Sequence, residues 1–133
     1  MALEKKFKLD KILENDCFLI KDLELSKLLL MNNKLYPWLI LVPQRPDMME
    51  IIDLNCNDQQ TLLKEINYVS KIIKNIYKPD KLNIANLGNI VSQLHIHIIA
   101  RYKNDNSFPN PVWIDNNRTY YNNEDIKNIR QYF

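Results

Sequence analysis

The two histidines of this chain lie two residues apart, in Gln93-Leu94-His95-Ile96-His97-Ile98-Ile99-Ala100-Arg101. Imidazole is the side chain whose ordinary titration falls closest to neutrality. Two of them on one rigid face suit proton transfer, metal ligation or nucleophilic attack. Apolar residues alternate with the imidazoles, the pattern of a β-strand on which side chains two apart share a face. Gln93, His95, His97 and Arg101 are therefore expected to project together. A lone histidine is more often a hydrogen-bonded structural residue, but the pairing and the flanking polar groups favour a site. Metal chelation by His95 and His97 is an alternative. A closed zinc site takes about four ligands, and only loop acids such as Asp105 or Asp115 could complete one, so no metal centre is assigned.

What must position these residues follows from the rest of the chain. Its 133 residues suffice for one domain with a real core and not for two. The core is expected over about 7–101, with 102–133 a C-terminal loop and short helix. Eighteen basic residues against sixteen acidic ones leave a net charge of +2, interspersed along the chain, which argues against a nucleic-acid partner. No run of ~18 apolar residues exists and the start lacks a signal-peptide core, so no membrane association and a cytoplasmic location are expected. Cys17 and Cys56 are isolated and expected to be reduced. The single glycine, Gly88, is conspicuous in so glycine-poor a chain.

Cys17 to Lys21 and Lys27 to Met31 read as adjacent strands, and Trp38 to Val42, apolar throughout and bounded by Pro37 and Pro43, as a central strand. Between Asn57 and Tyr77 the period changes. Leu62, Ile66, Val69, Ile73 and Ile76 form one helical stripe, with Asn57 the expected N-cap and Pro79 the stop. Leu82 to Leu87 and Gln93 to Arg101 are two further strands joined at Gly88-Asn89, and Glu124 to Tyr132 a terminal helix. The expected class is α+β, a sheet of about five antiparallel strands with one long helix.

The histidine segment resembles the signature of the histidine-triad (HIT) superfamily, His-x-His-x-His followed by two apolar residues, with Gln93, His95 and His97 in the three positions and Ile98 and Ile99 after them. Tyr36 to Arg45 resembles the family's apolar strand ending in Pro-x-Arg, and Leu82-Asn83 to Gly88-Asn89 its penultimate strand and turn. The Gln-x-His-x-His form is similar to a subgroup that hydrolyses diadenosine polyphosphates.

The resemblance implies a homodimer with joined sheets. It also implies a nucleotide hydrolase or transferase that cleaves a dinucleoside polyphosphate or nucleoside phosphoramidate at its α-phosphate through a nucleotidyl-histidine. His95 takes the nucleophile's place and His97 the phosphate side. Asn83, Gly88 and Asn89 fall at phosphate-contacting positions, and Asn32 resembles the ribose-binding residue. Ile90 stands where many relatives carry a phosphate-contacting Ser or Thr, and Trp38 where several carry a further histidine. The protein itself would supply no cofactor, any divalent ion arriving on the substrate's phosphates. A neutral nucleophilic imidazole needs a partner on its other ring nitrogen, in the family a main-chain carbonyl, which the sequence does not name. Gln93 departs from the triad, since an amide carries no proton to give at neutral pH. The alternative reading is therefore a nucleotide-binding or regulatory protein with little turnover, in which Gln93→His would raise activity. Arg101 is expected to be solvated at its strand end, Trp38 to pack in the core, Met48 and Met49 to be packing residues, and Trp113 to stack on a base, cover an interface or tether its loop.

Overall fold

The computed structural model describes residues 5–133. Five strands form one antiparallel sheet in the order β1-β2-β3-β5-β4: β1 (Cys17–Asp22), β2 (Ser26–Met31), β3 (Trp38–Pro43), β4 (Lys81–Ala85) and β5 (Ile96–Arg101). Helices α1 (Lys11–Asp16), α2 (Cys56–Tyr77) and α3 (Asn123–Arg130) complete the α+β fold. No helix among the described residues is long and apolar enough to cross a membrane.

Alternation along the central strands sends side chains into two separate cores. Leu39 and Leu41 of β3, with Ile96, Ile98 and Ala100 of β5, pack beneath Leu62, Val69 and Ile73 of α2. Trp38, Ile40 and Val42, with Ile99, point the other way and meet Leu13 of α1, Tyr36, Val91 and Val112. A strand covered on both faces reads as a continuous apolar run, as β3 does. The histidine face belongs to the second core, so its cover comes from α1 and the C-terminal loop rather than from the long helix.

Helix α2 is capped two residues before the expected Asn57. Asn55 is the N-cap, its Oδ1 accepting from the Asp58 N–H at 2.8 Å. A cap needs a side-chain acceptor two or three residues ahead of the N–H it satisfies, and Asp58, already held by Arg45 Nε and Nη2 at 2.8 and 3.2 Å, fixes that register against the chain leaving β3. Helix α1 leaves no pattern in the sequence. Asp10 caps it through its own carboxylate, accepting from the Ile12 N–H, but six residues are too few to show a helical period.

The expected histidine strand is shorter than its alternation suggested, because β5 begins at Ile96 and Gln93 to His95 precede it in a bend. The Leu94 N–H there donates to the Met48 carbonyl at 2.8 Å, while Met48 packs on the α2 core.

Candidate active site

The bend breaks the expected alignment of polar groups. His95 and His97 remain neighbours, ring centroids 4.8 Å apart and both buried, but the Gln93 side chain turns to the N-terminal arm. Its Oε1 accepts from the Asp10 N–H at 2.9 Å and its Nε2 donates to the Lys8 carbonyl at 2.8 Å. Gln93 thus ties down the entry to α1.

The Gln93 main chain acts on His95. The carbonyl lies 2.6 Å from His95 Nδ1, and because a carbonyl only accepts, Nδ1 carries the proton. That leaves the Nε2 lone pair free for attack. This is the carbonyl partner that a nucleophilic imidazole requires and that sequence alone could not name.

His97 is held in the opposite tautomer. Trp38 Nε1–H only donates, at 3.0 Å to His97 Nδ1, so the His97 proton sits on Nε2 and is given to the Leu87 carbonyl at 3.1 Å. Burial, then the neighbouring His95, pushes its pKa down to about 4, with the Leu87 carbonyl pulling weakly the other way. The ring, expected on the phosphate side, is thus held neutral with both nitrogens hydrogen-bonded within the protein. Trp38 packs as expected and also sets this tautomer.

The loop between β4 and β5 closes over His95. A Cβ at Gly88 would lie 2.5 Å from the Val91 carbonyl oxygen and 3.2 Å from His95 Cε1, so only glycine lets the loop run this close to the ring. Main-chain N–H groups from Gly88 to Gln93 donate to no main-chain carbonyl among the described residues. Donors of that kind can stabilise an anion beside an imidazole without a proton transfer. Asn89 and Ile90, both exposed, rim the same loop.

These groups line a cavity of about 530 Å³, within the ordinary range for a small-ligand site. Its walls include Ile12 and Asp16 of α1, Met31, Trp38, Gly88, Asn89, His95, His97, Trp113 and Arg118. Trp113 stands edge-on to His97 and to Trp38, at 5.0 and 5.8 Å between centroids. Asp16 and Arg118 were not singled out in the sequence, where nothing marks a lone charge on a helix end or in an asparagine-rich loop as facing a cavity.

Two expected contacts, and one residue expected to be solvated, are held within the fold instead. Asn83 lies outside the cavity, its Oδ1 accepting from Arg101 Nη1 at 2.8 Å. Asn32 is also outside, its Oδ1 accepting from the Tyr121 N–H at 2.9 Å. Arg101 is almost wholly buried rather than solvated. It clamps Asp105 through Nε and Nη2 at 2.8 and 3.0 Å and donates to Ser107 and to the Asn110 carbonyl. Burial opposes ionisation of Asp105, but Arg101 and the N–H groups of Tyr102, Phe108 and Ser107 hold its carboxyl down at about 2. This knot fixes the loop that carries Trp113 to His97. Among the described residues no group of three or more His, Cys, Asp or Glu is arranged to hold a metal ion.

A five-stranded antiparallel sheet with this histidine pair at the head of an inner strand defines a HIT domain: residues 13–104 match the HIT domain model, and the chain belongs to that family. Its structure is similar to that of a histidine triad protein from Bradyrhizobium japonicum, with 45% identity, 96% of each chain covered and a TM-score of 0.92. A histidine triad protein from Marinobacter aquaeolei is 36% identical, with a TM-score of 0.92 and 96% and 93% of the two chains covered. Among curated proteins, a bis(5'-adenosyl)-triphosphatase of Saccharomyces cerevisiae is 35% identical over 72 residues, 50% of this chain and 35% of the yeast protein. The match thus spans about a third of the length of the curated yeast protein.

Proposed function

We propose that the protein is a nucleotide hydrolase or transferase in which His95 Nε2 attacks an α-phosphorus and forms a nucleotidyl-histidine. The carrying observation is the 2.6 Å contact of His95 Nδ1 with the Gln93 carbonyl, which presents the lone pair of Nε2. In the first step the N–P bond forms and the P–O bond to the leaving group breaks, its electron pair departing with that group. In the second, water attacks phosphorus and gives up a proton to solvent, the N–P bond breaks with its electron pair returning to Nε2, and the neutral imidazole is regenerated. Covalent catalysis divides one hard displacement into two easier ones.

The same geometry bears on the leaving group. Gln93 has no proton to give and is turned away, and His97 stays neutral with its one N–H on a carbonyl. A phosphate leaves readily as an anion, whereas an amine must be protonated as it departs. The site therefore suits a dinucleoside polyphosphate better than a phosphoramidate, and the name of the yeast relative agrees with that. The missing acid also favours the second reading, a nucleotide-binding protein of low turnover. Turnover of diadenosine tri- and tetraphosphate and of an adenosine phosphoramidate, by wild type and His95→Ala, separates the two. Polyphosphate cleavage lost in the variant and a trapped nucleotidyl adduct on His95 support the first; tight binding with no cleavage by wild type supports the second.

A homodimer joined through the sheet is proposed as well. The outer edge of β4 is unpaired in the single chain and Ile84 on it is half exposed, the kind of edge another strand covers. Light scattering at micromolar concentration reads the mass directly, and a monomer refutes it.

A further inference from the structure

The end of the cavity near Met31 carries two charges that phosphate chemistry leaves unused. Asp16 closes α1; its main-chain carbonyl accepts from the Asn32 N–H at 3.0 Å, while its half-buried carboxylate has no ion pair among the described residues. Arg118 reaches the same place from the C-terminal loop. Its Nη2 lies 3.1 Å from Met31 Sδ, a weak acceptor, and its guanidinium sits over the Tyr120 ring at 5.9 Å. It too lacks an acidic partner among the described residues.

The two charges flank Cys17, which pairs with Met31 across β1 and β2. Burial pushes the Cys17 thiol up to about 12, with Asp16 raising it further and Arg118 opposing, so both are within electrostatic reach of one point. Yet they do not pair with each other. An acceptor-only group and a donor-only group that line one cavity without forming an ion pair with each other suit a ligand with donors on one side and acceptors on the other. The cavity that they share with His95 is lined also by the apolar Ile12, Leu13, Met31 and Val91, the surroundings a flat aromatic ring requires.

Resting on the nucleotide reading above, we propose that Asp16 and Arg118 read the edge of the nucleobase and select guanine over adenine. Guanine offers N1–H and N2–H to a carboxylate and O6 with N7 to a guanidinium, the bidentate pairing that arginine makes with guanine elsewhere. Adenine offers Asp16 a single amine and Arg118 a single ring nitrogen. Hypoxanthine keeps O6 and N1–H but lacks the N2 amine.

The test is calorimetric titration of the full chain with GMP, IMP, AMP and CMP. GMP is expected to bind about tenfold or more tighter than AMP, with IMP between them, since one bidentate base contact discriminates by that order. Asp16→Asn and Arg118→Gln, checked for folding by circular dichroism, should each bring the GMP to AMP ratio to within about threefold. AMP binding as tightly as GMP to wild type overturns the base reading alone. Failure of every mononucleotide to bind overturns the nucleotide reading and this one with it.

Discussion

Restoring the triad by Gln93→His should weaken the protein, not activate it. The Gln93 carboxamide places an acceptor and a donor side by side, matching the Asp10 N–H at 2.9 Å and the Lys8 carbonyl at 2.8 Å. An imidazole carries its acceptor and donor on different sides of a ring and cannot serve both groups. At least one bond is lost, at about 0.5–1.5 kcal/mol net, and more where the abandoned main-chain group is shielded from water. A loss of about 1–2 kcal/mol lowers the midpoint of thermal unfolding by roughly 3–10 °C for a domain of this size. Because the bonds hold the entry to α1, and α1 supplies Ile12, Leu13 and Asp16 to the cavity, exchange of the α1 amides should accelerate and substrate binding weaken. Thermal melting, hydrogen exchange and steady-state kinetics on wild type, Gln93→His and Gln93→Ala read all three effects. An unchanged melting temperature together with faster turnover in Gln93→His would refute the reasoning and make Gln93 a degraded triad member.

Gly88→Ala should cost about 1–3 kcal/mol and depress turnover more than binding, since the added carbon meets the Val91 carbonyl and the His95 ring; crystallography of the variant would show the loop displaced. His97, held at about 4 when folded against 6.5 otherwise, makes the unfolded chain bind the extra proton between those values. Stability should therefore fall as pH drops from about 6.5 to 4, by up to about 3 kcal/mol, and denaturant melts of His97→Asn should lose that slope. Arg101→Met should cost about 3–5 kcal/mol by stranding the buried Asp105, with Trp113 fluorescence reporting the loosened loop and Asp105→Asn partly rescuing the double variant.

Much of this was legible in the sequence. Apolar runs and period changes located the five strands, the long helix and the terminal helix, because a sheet buried on both faces and a helix with one buried stripe leave regular patterns that depend only on neighbours in the chain. The histidine pair was legible for the same reason. Short or capped elements were not: α1 has no period to read, and the cap of α2 moved to Asn55 because Arg45, distant in sequence, holds Asp58.

The roles within the site were decided by tertiary structure alone. A strand pattern says which side chains share a face, but not where the strand begins, and the bend before Ile96 sent Gln93 outward while placing its carbonyl on His95. Tautomers follow from partners, so the opposite protonation of His95 and His97 depended on the Gln93 and Leu87 carbonyls and the Trp38 indole meeting in space. Asn83 and Asn32 fall at ligand-contacting positions by resemblance, and Arg101 reads as a solvated strand end because charge usually is. Folding used all three to satisfy polar groups within the protein, while Asp16 and Arg118, unremarkable in the chain, were brought to the end of the cavity without an ion-pair partner among the described residues.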